Sequence, residues 1–121
     1  MEWGLASVDP VKEWLHSLRS TDRELLLKIS ADLEALRRGG PGMDHRPMVD
    51  SLTGDAAKSI KLKELRTEGT IRIAFVRHGG VIILLLAHGD KRQKDSAKFY
   101  GRFIDEAVER YEKWLADKGG K

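Results

Sequence analysis

Apolar positions along the chain follow two different periods, and the change from one to the other separates a helical half from a strand-rich half. Val11, Trp14, Leu15 and Leu18 recur at i, i+3, i+4 and i+7, which predicts a short helix with one apolar face. Asp9-Pro10 predicts its start, with Asp9 as N-cap and Pro10 at the first helical position, where a missing N–H costs nothing. Thr21-Asp22-Arg23-Glu24 has the form of a capping box, with Thr21 and Glu24 satisfying each other's backbone N–H groups. It opens a second helix over 22–38, whose buried stripe is Leu25, Leu26, Ile29, Leu33 and Leu36. Gly39-Gly40-Pro41 ends that helix, because Gly accepts a left-handed cap and Pro cannot continue the turn. Two helices so closely spaced predict an antiparallel helical hairpin.

From residue 60 the period changes to two. Strands are predicted at Ile60–Arg66, Thr70–His78 and Val81–His88, with a tight turn at Thr67-Glu68-Gly69 and a two-residue hairpin turn at Gly79-Gly80. Residues 81–87 are apolar in both phases, as expected of a central strand covered on both faces. Residues 2–7 suit a short edge strand. Residues 39–59, rich in Gly, Pro, Asp and Ser, read as a long connection that packs on Pro47, Met48, Val49 and Leu52, with no domain boundary in it. Asp95 can cap a final helix in which Phe99, Phe103, Ala107, Tyr111 and Leu115 recur every fourth residue. Gly119-Gly120-Lys121 is a frayed tail. The expected fold is a single α+β domain over 1–121, of order (β)ααβββα, with the helical hairpin and the C-terminal helix on a small antiparallel sheet.

The hairpin turns set expected registers. A turn at Gly79-Gly80 places Arg72 opposite Ala87, Ala74 opposite Leu85 and Phe75 opposite Leu84. Phe75 then lies on the natural core side, and Arg72 lies among small side chains, on the floor of a groove or exposed. In the preceding pair, one register sets Glu64 opposite Arg72 and a slip of one residue replaces it with Leu65.

Composition narrows the chemistry. The 121 residues include no Cys, which removes disulfides, thiolate metal sites and a cysteine nucleophile. Four His, at 16, 45, 78 and 88, lack ligand spacing, so neither a metal site nor a cofactor is expected. The longest apolar run, Val81–Ala87, is too short to span a bilayer, and the N-terminus has no export signal, so a cytoplasmic protein is expected. The net charge of +3 is unevenly distributed: residues 1–60 carry −2, while 61–104 carry +6. Such asymmetry points to a polyanionic partner.

The basic residues gather where the strands end. Lys61, Lys63 and Arg66, then Arg72, then Lys91, Arg92 and Lys94, and finally Lys98 and Arg102 can converge at one sheet edge beside the start of the last helix. On RNA such a site can work without metal, because the 2′-OH is an internal nucleophile beside its own phosphate. Arg72 and Lys91 are candidates to stabilise charge, and Tyr100, Lys91, Glu64 or His88 to move protons. His88, at the end of an apolar strand, is more often a hydrogen-bonded packing residue than a general acid. His16, His45 and His78 suit the surface. Trp3, Trp14 and Trp114 suit a core or an interface.

Lys63-Glu64-Leu65-Arg66, Ile71-Arg72-Ile73-Ala74-Phe75, Ile83-Leu84-Leu85-Leu86 with Gly89-Asp90-Lys91, and Phe99-Tyr100 through Tyr111 together resemble the HigB-like branch of the RelE/ParE toxin superfamily, often labelled phage-derived Gp49-like. The resemblance covers about residues 55–115. It implies a RelE-like microbial RNase fold and the toxin of a type II toxin–antitoxin pair. Such toxins cleave mRNA on the ribosome without metal and are neutralised by a helix-turn-helix antitoxin in a hetero-oligomeric complex. Carried over position by position, the resemblance matches Arg72 to the arginine of the middle strand, Lys91 to the basic residue after the last strand, and Tyr100 to the tyrosine of the C-terminal segment. RelE itself has a lysine near Glu64 and a shorter C-terminal segment. Two other functions suit the same pattern: a non-catalytic gyrase inhibitor like ParE, and a non-catalytic RNA-binding module.

Overall fold

In the computed structural model, residues 3–39, 48–79, 82–92 and 96–118 are described. They build β1 (Gly4–Ser7), α1 (Val11–Thr21), α2 (Arg23–Arg38), β2 (Val49–Ser51), α3 (Asp55–Ile60), β3 (Lys63–Arg66), β4 (Ile71–His78), β5 (Ile82–Asp90) and α4 (Ser96–Asp117). The strands form one mixed sheet in the order β1-β5-β4-β3-β2. The expected α+β arrangement of helices on a sheet is present, with the sheet longer at both edges than the three-strand core. β1 pairs parallel to β5, from which most of the chain separates it, so no hairpin turn forces the antiparallel arrangement. β2 pairs antiparallel to β3 inside the segment expected to be a plain connection.

Helices cover both faces of the sheet. Val11 and Leu18 of α1 and Ile29, Leu33 and Leu36 of α2 bury against Ile73, Phe75, Ile83 and Leu85. On the other face Phe103 and Ala107 of α4 pack with Ala74, Val76, Leu84 and Ala87. The Arg72 side is therefore not an open groove along its length: its small side chains make room for α4. β5, central and buried on both faces, behaves as its apolar run requires.

Local differences from the sequence expectation have local causes. Pro10, not Asp9, occupies the N-cap of α1 and makes no side-chain cap. At the next helix Thr21 ends α1, its hydroxyl donating to the Ser17 carbonyl at 3.0 Å. Asp22 is the cap instead, accepting from the Leu25 N–H at 3.1 Å. Gly39 closes α2 in the left-handed region at φ 68°, as its position predicts. The first predicted strand begins three residues late, because Asp55–Ile60 are helical and Lys61 caps that helix at φ 56°.

The β4–β5 register also departs from a simple two-residue hairpin. Arg72 pairs with Gly89 and Ala74 with Ala87, whereas Phe75 pairs with Leu85. Leu86 is thus an extra residue on β5, a bulge that turns Leu86 and Ala87 to the same side, toward α4. The Leu86 carbonyl accepts from Arg110 Nη1 of α4 at 3.0 Å. Gly80 of the predicted turn and Val81 of the predicted strand lie outside the described residues, as do Gly40, Pro41, His45, Pro47, Lys94, Asp95 and the 119–121 tail. Among the described residues no helix is long and apolar enough to cross a membrane.

Candidate active site

The sheet register places a carboxylate between two guanidinium groups. Glu64 pairs with Ala74, not with Arg72, and Arg66 pairs with Arg72. Alternation then sets Glu64, Arg66 and Arg72 on the α4 face. Glu64, only 2% exposed, has Arg66 Nε 3.5 Å from Oε2 and Arg72 Nε 3.8 Å from Oε1. Neither Nε has a hydrogen-bond partner among the described residues, so each acts on Glu64 by charge across a slightly long gap. Arg72 is 6% exposed, and its Nη1 donates to the carbonyls of Gly69 at 2.9 Å and Ile71 at 3.0 Å.

α4 adds the third group. The Tyr100 hydroxyl lies 2.8 Å from Glu64 Oε1 and 3.1 Å from Oε2, donating to the carboxylate. Burial, then the hydrogen bond and charge of Glu64, push the Tyr100 phenol above its ordinary range, while the Arg72 guanidinium opposes the rise. Tyr100 is therefore a protonated phenol through neutral pH. Lys91 Nζ sits over the Tyr100 ring, 5.7 Å from its centroid. Tyr100, Glu64, Arg66 and Lys91 line a cleft of about 340 Å³, with Asp50, Ser51 and Thr53 also in its lining.

Asp50, Ser51 and Thr53 are the cleft residues that sequence reasoning missed. Asp50 pairs with Glu64 across β2 and β3, and Arg66 Nη2 reaches Asp50 Oδ2 at 3.3 Å. Arg66 thus bridges two carboxylates that would otherwise repel. A three-residue strand has too few positions to show a period, so nothing in the sequence marked Asp50.

The other candidates lie apart from this cleft. His88 faces α1, where its ring stacks on Trp14 at 4.1 Å with an interplanar angle of 3°. Burial, and then the charge of Arg110, lower its pKa from 6.5 to about 4. Lys63 pairs with Phe75 on the α1–α2 side and donates to Ser51 Oγ at 3.2 Å. Lys61 is exposed at the end of α3. Arg92 is exposed and forms an ion pair with Asp90 at 3.0 Å. Asp90 also accepts from Thr70 Oγ1 at 2.5 Å, and that bond, followed by the Arg92 N–H, lowers its pKa. Lys98 and Arg102 project on another flank of α4, and Lys94 lies outside the described residues. His78, expected at the surface, is half-buried, with Nδ1 2.7 Å from the Tyr111 hydroxyl. Among the described residues no three His, Asp or Glu side chains gather as a metal site would require.

Comparison with known proteins places this geometry in a family context. The family model described as phage derived protein Gp49-like matches residues 13–112. A Mycobacterium tuberculosis (strain ATCC 25618 / H37Rv) protein named "Putative toxin HigB3" is 32% identical over 111 residues, covering 91% of each chain. No solved structure matches the chain.

Proposed function

The chain belongs to the phage-derived Gp49-like family, and from that premise we propose that it is the toxin of a toxin–antitoxin system, acting as a metal-independent endoribonuclease on mRNA at the ribosome. Its partner in this reading is a helix-turn-helix antitoxin, in a hetero-oligomeric complex. The observation that carries the catalytic part is the Tyr100–Glu64 hydrogen bond of 2.8 Å in a cleft that also holds Arg66 and Lys91.

The proposed reaction needs no group beyond these side chains and the substrate. The ribose 2′-oxygen attacks the adjacent phosphorus and gives its proton to Tyr100, which passes its own phenolic proton to Glu64. The Tyr100 phenol, held protonated through neutral pH and hydrogen-bonded to Glu64 at 2.8 Å, stands where such a relay needs it. Arg66 and Lys91 face the charge that builds on the phosphate oxygens. The bond to the 5′-oxygen breaks as Lys91 donates a proton to it. The products are a 2′,3′-cyclic phosphate and a 5′-hydroxyl. Arg72, buried behind Glu64, acts as a positioning residue that holds the carboxylate in place and does not touch the RNA.

Incubation with translating ribosomes and mRNA tests the reading. Tyr100→Phe and Glu64→Gln are each expected to slow cleavage roughly 10²-fold, within the range for losing a positioned acid–base group. Fragments from the unsubstituted protein should end in cyclic phosphate. Undiminished cleavage in both variants, or fragments ending in a plain 3′-hydroxyl, would overturn the mechanism.

A further inference from the structure

A second cavity, of about 620 Å³, opens between the end of β5 and the first turns of α4. Its wall is the ring pair Phe99 and Phe103, stacked at 5.1 Å with 23° between their planes. Gly89 lets that wall sit close to the strand: a Cβ there would come to 2.8 Å from Phe99 Cε1. β1 pairs with β5 only as far as Leu85, so among the described residues no strand covers this part of β5 on its outer side. Lys98 and Arg102, one turn apart on α4, line the cavity together with Glu106.

We propose that this cavity is a nucleobase subsite for the nucleotide next to the phosphate held at Tyr100. The proposal rests on the endoribonuclease reading and adds to it where the neighbouring base goes. The volume falls within the usual range for a small-ligand pocket, roughly 300–1,000 Å³, and is far more than an anion needs. An aromatic wall suits the face of an unstacked base, since single-stranded RNA is gripped largely by stacking. Lys98 and Arg102 supply positive charge for the adjoining phosphate, and Glu106 can accept from ring or amino N–H groups. The two sites adjoin as one nucleotide requires: the Phe99 and Tyr100 ring centroids lie 5.1 Å apart, with one ring in each site.

The test uses a 2′-O-methyl trinucleotide, which cannot be cleaved by its own 2′-oxygen, titrated into ¹⁵N-labelled protein. Amide shifts at Gly89, Asp90, Phe99 and Arg102 are expected, with affinity falling about tenfold in Phe99→Leu, which keeps an apolar side chain but loses the π-face. Arg102→Glu, at an exposed position, should weaken binding similarly. Shifts confined to the Tyr100 cleft, or affinity unmoved in both variants, would overturn the subsite while leaving the cleavage reading intact. Shifts at Gly89 and Phe99 from a protein that cleaves no RNA would uphold the subsite and remove the catalytic reading.

Discussion

A buried arginine can serve a site without reaching it, and that is the part the proposed mechanism gives Arg72, 6% exposed behind Glu64. Two backbone carbonyls hold its Nη1, and its remaining charge is directed at Glu64, so removing it would release a carboxylate from its position, not a phosphate from its clamp. His88, which its place at the end of an apolar strand marks first as a packing residue, lies apart from the Tyr100 cleft. Stacked on Trp14 and lowered to about 4 by burial and by Arg110, it is a neutral packing residue at neutral pH. The consequence for stability has a definite sign. Between the unfolded value near 6.5 and about 4, the unfolded chain binds a proton that the folded chain refuses. The stabilisation from neutral His88 is thus complete above that window and is lost as pH falls through it. Thermal melts from pH 7 to pH 4.5 should therefore fall more steeply for the unsubstituted protein than for His88→Gln. Parallel slopes would show that His88 is free to protonate in the fold.

At the scale of elements, long periodic segments were readable from the sequence, as were the short strands β1 and β3, while β2 and α3 were not. The stripes Leu25–Leu36 and Phe99–Leu115 specify α2 and α4 because each repeats over several turns. β2 and α3, with three and six residues, lack the length for any period, and both lie in the segment that supplies Asp50. The β5 bulge was hidden for a different reason: Leu84, Leu85 and Leu86 are the same residue, so no polar position registers which face each one takes. Arg110 marks the bulge from a distance, as the donor to the Leu86 carbonyl. Arg110→Met keeps the aliphatic stem and removes that donor, and should cost about 1–3 kcal/mol in urea unfolding. Glu106, whose ion pair with Arg110 is 3.7 Å long and only partly buried, should matter far less: Glu106→Gln is expected to cost under about 0.5 kcal/mol. Equal losses in the two variants would assign the effect to the surface pair instead of the bulge.

Over the whole molecule, the +6 of residues 61–104 proves to be distributed, not pooled. Arg72 and Arg66 face Glu64 and Asp50, and Lys63 lies on the α1–α2 side of the sheet. The charge count drew attention to residues 61–104, but it could not show that Arg66 and Arg72 are already opposed by carboxylates; that depends on the register of β3 against β2 and β4. In the proposed reading the RNA meets Arg66 and Lys91 in the Tyr100 cleft and Lys98 and Arg102 on the adjoining flank of α4. This division can be measured by counterion release. For single-stranded RNA bound by the Tyr100→Phe protein, log affinity should fall linearly with log salt, by about 0.7 for each phosphate neutralised. Replacing Lys98 and Arg102 together by Ala should flatten that slope by about 1.4 if each meets one phosphate. Lys63→Ala, on the other face, should leave it unchanged. A slope that responds to Lys63 but not to Lys98 and Arg102 would place the RNA on the helical-hairpin side of the sheet, away from the Tyr100 cleft and from the cavity beside it.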